Sequence, residues 1–444
     1  MRRRIGITGV GVVSPFGVGI DALWAGLVEG RSAIGPIRAF DASGFPCRLA
    51  GEVQGYSARD LLPKHYRKAT KVMARDTELA VGIAKLAVED AGLLTRASLG
   101  EDGQGTMTYP GDRVGCQIGA GLIAAETEEL TSALATAVAE GSFSLKVWGE
   151  TGLSNLQPLW LLKYLPNMLA CHVTIIHGAE GPSNTITCGE ASGLLSLGES
   201  ARVIERGAAD VCFSGGAESK VNLMGLLRQT FAGRAGPTDQ AIEGSPVVRP
   251  YSPGSVGVIG EGGGILMAEA LDAARSRGAR VYAEVAGFGA GCSSWPPYVS
   301  EDERPTTTSM SGDGLELAIR RALKDAGLEP GAIDAIVPQA SGTELEDRAE
   351  LGALRAVFGD RLGSIPAVTL TPNVGNACAG AGAMAAAVGA KLLAEQRLPA
   401  RLNGPGAAWA GASPGGPASI GAVLVCSGSL GGQNAAAVFT RVKA

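Results

Sequence analysis

The chain has 444 residues, 45% hydrophobic and 18% charged, a soluble globular balance with length for two ordinary domains or one large two-lobed one. Its net charge of −5 is small and spread along the chain, which leaves no footprint for nucleic acid or an anionic membrane surface. The eight cysteines form no C-x-x-C pair and mostly sit in apolar runs, so they read as reduced core thiols of a cytoplasmic protein.

The basic opening Met1-Arg2-Arg3-Arg4 runs into a Gly-broken stretch at 5–13 that reaches Pro15 without a small-residue cleavage site. It is expected to be a strand, not a signal peptide. A helix is predicted over 70–91, then a Gly-rich polar loop at 99–112 and a strand at 113–118. The helix at 191–206 stops at Gly207 and is followed by a strand at 210–214 and Gly215-Gly216, the pattern of a helix packed under a sheet. A second strand–helix series starts near Val281, with a helix at 314–326, a strand at 335–337 and a helix at 377–394. It hints at a duplicated architecture, although the internal sequence match is weak. A second loose loop spans 404–417. Apolar patterns resume on each side of both loops, so they are surface loops rather than linkers. Alternating β-rich and helical runs argue for α/β layers. The longest uncharged stretch, around 368–390, holds Pro372, Asn373 and Asn376 and is mostly Ala and Gly, so no membrane span is expected.

Several phrases have a recognisable order. Ile7-Thr8-Gly9-Val10-Gly11-Val12-Val13-Ser14-Pro15-Phe16-Gly17 opens the chain, and Gly181-Pro182-Ser183, Gly215-Gly216-Ala217-Glu218, Arg249-Pro250-Tyr251, Gly260-Glu261-Gly262-Gly263-Gly264 and Gly431-Gly432-Gln433-Asn434 follow. Together, across nearly the whole chain, they resemble the β-ketoacyl synthase family. The resemblance implies a thiolase-like fold of two similar βαβαβαββ-type halves, here 1–265 and 266–444, in an α-β-α-β-α layered sandwich that works as a dimer. It also implies a cysteine nucleophile at a helix N-terminus, where the dipole favours a thiolate, and two assisting histidines.

The residues at those positions are different. The nucleophile phrase reads Glu190-Ala191-Ser192-Gly193, placing Glu190 where the family has cysteine. The first histidine phrase reads Ala340-Ser341-Gly342-Thr343, with Ser341 for the imidazole, and the following segment 344–350 is about two residues shorter than the synthase loop. Its Asp347-Arg348-Ala349-Glu350 wording resembles the chain length factors of type II polyketide synthases. The second histidine phrase reads Gly375-Asn376-Ala377-Cys378, with Asn376 for the imidazole and Thr371 near the expected lysine. Only three histidines exist, His65, His172 and His177, and none follows residue 177. An amide donates a hydrogen bond but carries no proton near neutral pH.

Other features have plainer readings beside sharper ones. Glu190 is either a dipole-favoured anion filling the old cysteine pocket or a carboxylate that mimics a malonyl group or holds the partner's site shut. Cys188 lies two residues earlier; strand alternation predicts it buried ahead of the turn, a packed thiol rather than a substitute nucleophile. His172 and His177 read as structural. Ser429, Leu430, Gly431 and Gly432 match the family's gating loop, with Leu430 either a gate or a plug over an unused cavity. Phe143, Val147 and Trp148 are candidates for the tunnel wall and dimer contact. The glycines at 260–264 lack a following Lys-Ser/Thr and fit tight sheet packing better than a phosphate loop.

The leading expectation is a catalytically degenerate, chain-length-factor-like partner that forms a heterodimer with an active ketosynthase (α) subunit and meets an acyl carrier protein. A malonyl-carrier decarboxylase with altered chemistry and a non-catalytic acyl- or carrier-binding homodimer are the alternatives. No cofactor and no metal are expected.

Overall fold

A computed structural model describes residues 2–99, 105–238, 247–293, 312–404, 409 and 413–442. Residues 100–104 of the first expected loop, and 405–408 and 410–412 of the second, lie outside the described residues. The main sheet path runs through β1 (Ile5–Ser14), β2 (Val114–Gly119), β3 (Ser183–Ile186), β4 (Val211–Ser219), β5 (Ile259–Ala270), β6 (Ala283–Cys292), β7 (Ala335–Val337), β8 (Ala422–Gly428) and β9 (Gln433–Thr440). Their spatial order is β7-β8-β9-β6-β1-β5-β4-β2-β3. Strand β1 is the seam between halves. It pairs antiparallel with β5 along most of its length, Val10 opposite Leu266, but meets β6 only at Gly6 and Ile7, opposite Glu284 and Ala283.

The helices are α1 (Arg75–Asp90), α2 (Met168–His177), α3 (Ser192–Glu205), α4 (Leu223–Phe231), α5 (Asp313–Ala326), α6 (Glu344–Phe358) and α7 (Ala381–Glu395). α3 and α7 touch each other and strands of both halves, so they form the middle layer. α1 and α2 cover the outer face of the N-terminal strands, and α5 and α6 that of the C-terminal strands. The result is the five-layer α-β-α-β-α arrangement expected. Alternation along each strand feeds two cores at once: Leu266 and Ala268 of β5 point to the middle layer, Ile265 and Met267 to α1 and α2. Twelve of the fifteen residues of α7 are buried. Its stretch is apolar and long enough to cross a membrane by composition alone, and its burial between sheets makes it a core helix.

Glycines set how closely the outer helices approach. A Cβ at Gly9 or Gly11 would stand 2.3 Å from Ala87 O and 2.1 Å from Ile83 O, so α1 can lie on β1 only where these residues have no side chain. The second half repeats the device: Gly287 and Gly289 of β6 face Ala322 O and Ala318 O of α5 at 2.3 and 2.1 Å. The hinted duplication is therefore visible as one packing solution used twice. The helix expected at 70–91 begins only at Arg75. Residues Lys64–Val72 wind as a 3-10 helix after Pro63, with none of them buried, so no packed face holds an α-helix there.

Candidate functional site

The site lies where the N-termini of the middle helices meet the loops of both halves. Glu190 sits in a 3-10 turn, Gly189–Ala191, directly ahead of α3, and is 1% exposed. Such a buried carboxylate demands a cation. It is Arg234, whose Nη2 donates to Glu190 Oε1 at 2.5 Å. Gly233, at φ 69°, follows the end of α4 and turns the chain back so that Arg234 enters the interior. The same guanidinium donates through Nε and Nη2 to Glu346 at 2.7 and 3.3 Å, and through Nη1 to Gln229 Oε1 at 3.4 Å. Four of its five N–H groups thus have partners. Asn376 Nδ2 also donates to Glu190 Oε1, at 3.1 Å. Burial by itself raises the Glu190 pKa, but the charge and hydrogen bond of Arg234, with Asn376, outweigh burial and hold it below the ordinary range. The carboxylate is ionised and neutralised in place.

Ser341 approaches from the other half. It stands between two backbone kinks, Ala340 at φ 47° and Gly342 at φ 79°. Its Oγ lies 2.9 Å from Thr343 Oγ1 and donates to Asp347 Oδ1 at 3.2 Å. α6 starts at Glu344, immediately after Thr343, and this abrupt start brings Glu346 within reach of Arg234. Asn376 accepts from the N–H of Cys378, itself at φ 47°. Ser427 Oγ lies 2.8 Å from Glu190 O and 2.7 Å from Gln339 Oε1, linking the elbow to β8. Thr371 is buried, its Oγ1 donating to Gln339 O at 3.3 Å.

The structure therefore brings Glu190 and Asn376 into contact, whereas Ser341 bonds to Thr343 and Asp347 at the start of the helix whose Glu346 reaches Arg234. Ser429, Leu430, Gly431 and Gly432 form the turn between β8 and β9, and Ser429 packs on Gly189 of the elbow. A cavity of about 50 Å³, room for a few waters, opens beside this turn and is lined by Gln339, Ser341, Glu346, Ser429, Gly432 and Asn434 among others. Phe143, Val147 and Trp148 lie elsewhere, in an excursion between β2 and β3. There Phe143 is 51% exposed and its ring centroid is 6.0 Å from that of Trp148.

One expectation is corrected. Strand β3 ends at Ile186, so Cys188 lies in the turn and not in the strand, where its side chain is half-exposed rather than buried. Burial of its remaining part still raises the thiol pKa, and the neighbouring Cys292 adds to that. It is no activated thiolate. His177 is fully buried on α2, its Nδ1 2.9 Å from Thr95 Oγ1, and burial lowers its pKa to about 3. It sits in the outer core with Phe213, away from Glu190. The residue that sequence reasoning missed is Arg234. The signal was available: an acid at a buried elbow requires a cation, and this chain offers Arg234 after a helix-terminating glycine. Among the described residues no three His, Cys, Asp or Glu side chains are placed to hold a metal.

A second buried charge cluster adjoins the same layer. Glu218 pairs with Lys220 and accepts from Ala379 N–H at 2.8 Å. Beside it Asp76 is pushed up to about 7, first by burial and then by repulsion from Glu218. Unfolded, Asp76 titrates near 3.9. The folded chain thus keeps a proton that the unfolded chain has lost, and stability falls as pH rises from about 4 to about 7. Asp76→Asn removes this loss. Thermal melts should give a Tm difference, variant minus wild type, that grows from pH 5 to 7 and levels off by pH 8; a difference that shrinks over that range contradicts the assignment.

Comparison with known proteins fits this geometry. The profile described as "Beta-ketoacyl synthase, N-terminal domain" matches residues 2–274, and "Beta-ketoacyl synthase, C-terminal domain" matches 295–404. The 3-oxoacyl-(acyl-carrier-protein) synthase 2 of Staphylococcus aureus (strain COL) is 30% identical over 359 residues, covering 81% of this chain and 78% of that protein. The enzyme of that name from Synechocystis sp. is 28% identical over 409 residues, 90% of this chain and 88% of that one. Among solved structures, the ishigamide ketosynthase/chain length factor aligns over 100% of both chains with TM-score 0.80 and 28% identity. A β-ketoacyl synthase from Burkholderia phymatum STM815 shares the fold over 100% of both chains, at TM-score 0.80 and 24% identity.

Proposed function

Because the chain belongs to the β-ketoacyl synthase family and has its thiolase-like fold, we propose that it is a chain-length-factor-like partner of an active ketosynthase in type II polyketide, polyene or specialised fatty-acid synthesis. The observation that carries this reading is the ion-paired Glu190. In this reading Glu190 stands at the nucleophile position, and Ser341 and Asn376 stand at the two histidine positions. Acyl transfer to a carboxylate gives a mixed anhydride of higher energy than the incoming thioester, and a carboxylate already bound to Arg234 is a weaker nucleophile still. Ser341 and Asn376 offer no titrating proton near neutral pH. The halves 1–265 and 266–444, and a cytoplasmic location, belong to the same reading.

Three observations support partners. Of fifteen large hydrophobic side chains exposed among the described residues, ten fall between 122 and 175, including Leu145 at 78% and Leu159 at 69%. Exposed apolar side chains concentrated in one stretch of the chain favour an interface there. Among the described residues strand β3, at the end of the sheet path, pairs with β2 alone, and its other edge suits a strand from a second subunit. Phe143, Val147 and Trp148 belong to this surface and are the proposed tunnel and contact residues. Lys64, Lys68 and Lys71 are exposed on a turn that carries no acid, a surface suited to an anionic partner such as a phosphopantetheinyl carrier protein. Leu430 belongs to the turn whose Ser429 and Gly432 line the small cavity, and in this reading it fills that turn as a plug rather than gating an acyl chain.

Incubation of the isolated chain with a malonyl-carrier thioester tests the loss of chemistry. Intact-mass analysis should show no acyl adduct, and no carbon dioxide should be released. An adduct on Cys188 or Glu190, or steady decarboxylation, overturns the proposal in favour of an enzyme with altered chemistry.

A further inference from the structure

The missing nucleophile is only one barrier at this site. The small cavity stops at Ser341 and Glu346; neither Glu190 nor Asn376 lines it. Behind Glu346, which lines the cavity, lies Arg234, its side chain 8% exposed, and it links Glu346 to Glu190, which does not line it. Its backbone is pinned as well: Arg234 N–H donates to Gln229 O at 2.9 Å, and its carbonyl lies so close to Gly257 that a Cβ there would stand 2.2 Å from it. A side chain fixed at its base and ion-paired at both faces of its head does not swing aside, since each broken pair leaves a buried charge unpaired.

We propose that Arg234, clamped between Glu190 and Glu346, is a plug that closes this chain's own pocket to acyl thioesters, separately from the loss of the nucleophile. The inference rests on the reading of position 190 as the nucleophile position. Its consequence is that a cysteine restored at 190 stays unacylated, because Glu346 and the backbone bond to Gln229 still hold Arg234 when the inner carboxylate is gone. The plug also explains why α6 starts directly after Thr343: the short junction delivers Glu346, the outer half of the clamp.

The test uses hexanoyl-pantetheine as thioester and intact mass as readout, on full-length Glu190→Cys and Glu190→Cys/Arg234→Ala. In a productive reaction the introduced thiolate attacks the thioester carbonyl, a new C–S bond forms, and pantetheine leaves as the thiol after taking up a proton. Beside Arg234 the introduced thiol is favoured as thiolate, and in the double variant it is not, so a faster double variant reports access and not protonation. We expect no adduct on the single variant and acylation at least about 100-fold faster on the double, a difference of about 2.7 kcal/mol in barrier. Equal rates overturn the plug, as does a double variant that melts cooperatively yet stays unacylated up to about pH 9.5, where a thiol ionises without help from Arg234. Should the double variant not fold, the single variant decides by reagent size. Relative to the exposed Cys292, a small methanethiosulfonate should label the introduced cysteine at least about 100-fold more readily than pantetheine disulfide does; no size discrimination overturns the proposal. Failure here leaves pairing with a ketosynthase untouched, because pairing is read by mixing subunits and not by acylation.

Discussion

Arg234→Ala should destabilise the chain by about 3–5 kcal/mol, the range for removing one member of a buried ion pair. The loss comes from what the substitution leaves behind. Glu190, 1% exposed, has one remaining donor from a side chain, Asn376 Nδ2 at 3.1 Å, and no neutralising charge. Glu346 loses its partner too, although it borders the cavity and can take up water there. Adding Glu190→Gln to Arg234→Ala removes the stranded charge and should return about 1–3 kcal/mol. Urea melts of wild type, single and double variants measure all three quantities. An Arg234→Ala protein within about 1 kcal/mol of wild type means that Glu190 is not held as the structure describes.

The second large effect belongs to the surface. Leu159→Asp with Leu161→Asp puts two carboxylates in the apolar surface between 122 and 175, where the native side chains are 69% and 59% exposed in the single chain. Since both face solvent, the fold of the subunit itself should lose little, about 0.5 kcal/mol or less for each. Pairing should suffer much more, because closing the interface would bury two unpaired charges. A weakening of at least about 100-fold in dissociation constant, about 2.7 kcal/mol, is the expected result by analytical ultracentrifugation. Unchanged pairing moves the interface elsewhere.

The parts of the fold that were legible in the sequence are those governed by local sterics and alternation. Gly9 and Gly11 signal close approach wherever they face a helix, and the same spacing at Gly287 and Gly289 repeats it in the second half. Gly215 and Gly216 extend β4 beyond its expected end, because a Cβ at Gly215 would stand 2.1 Å from Gly264 O of the neighbouring strand. Cys188 escapes the alternation rule because pairing with β2 ends at Ile186, two residues before it. Glu190 and Asn376 were readable one by one from their phrases. That they share a hydrogen bond, and that Glu190 also pairs with a guanidinium forty-four residues further along the chain, is tertiary information. No local period or motif marks Arg234; only the charge balance of a buried acid points to it.

Co-expression of this chain with the cysteine-containing ketosynthases of its own genome, followed by native mass spectrometry and a malonyl-carrier condensation assay, decides whether it is a ketosynthase partner. The expected result is a one-to-one complex that condenses only when both chains are present. A stable homodimer of this chain that loads acyl groups or releases carbon dioxide by itself would contradict it.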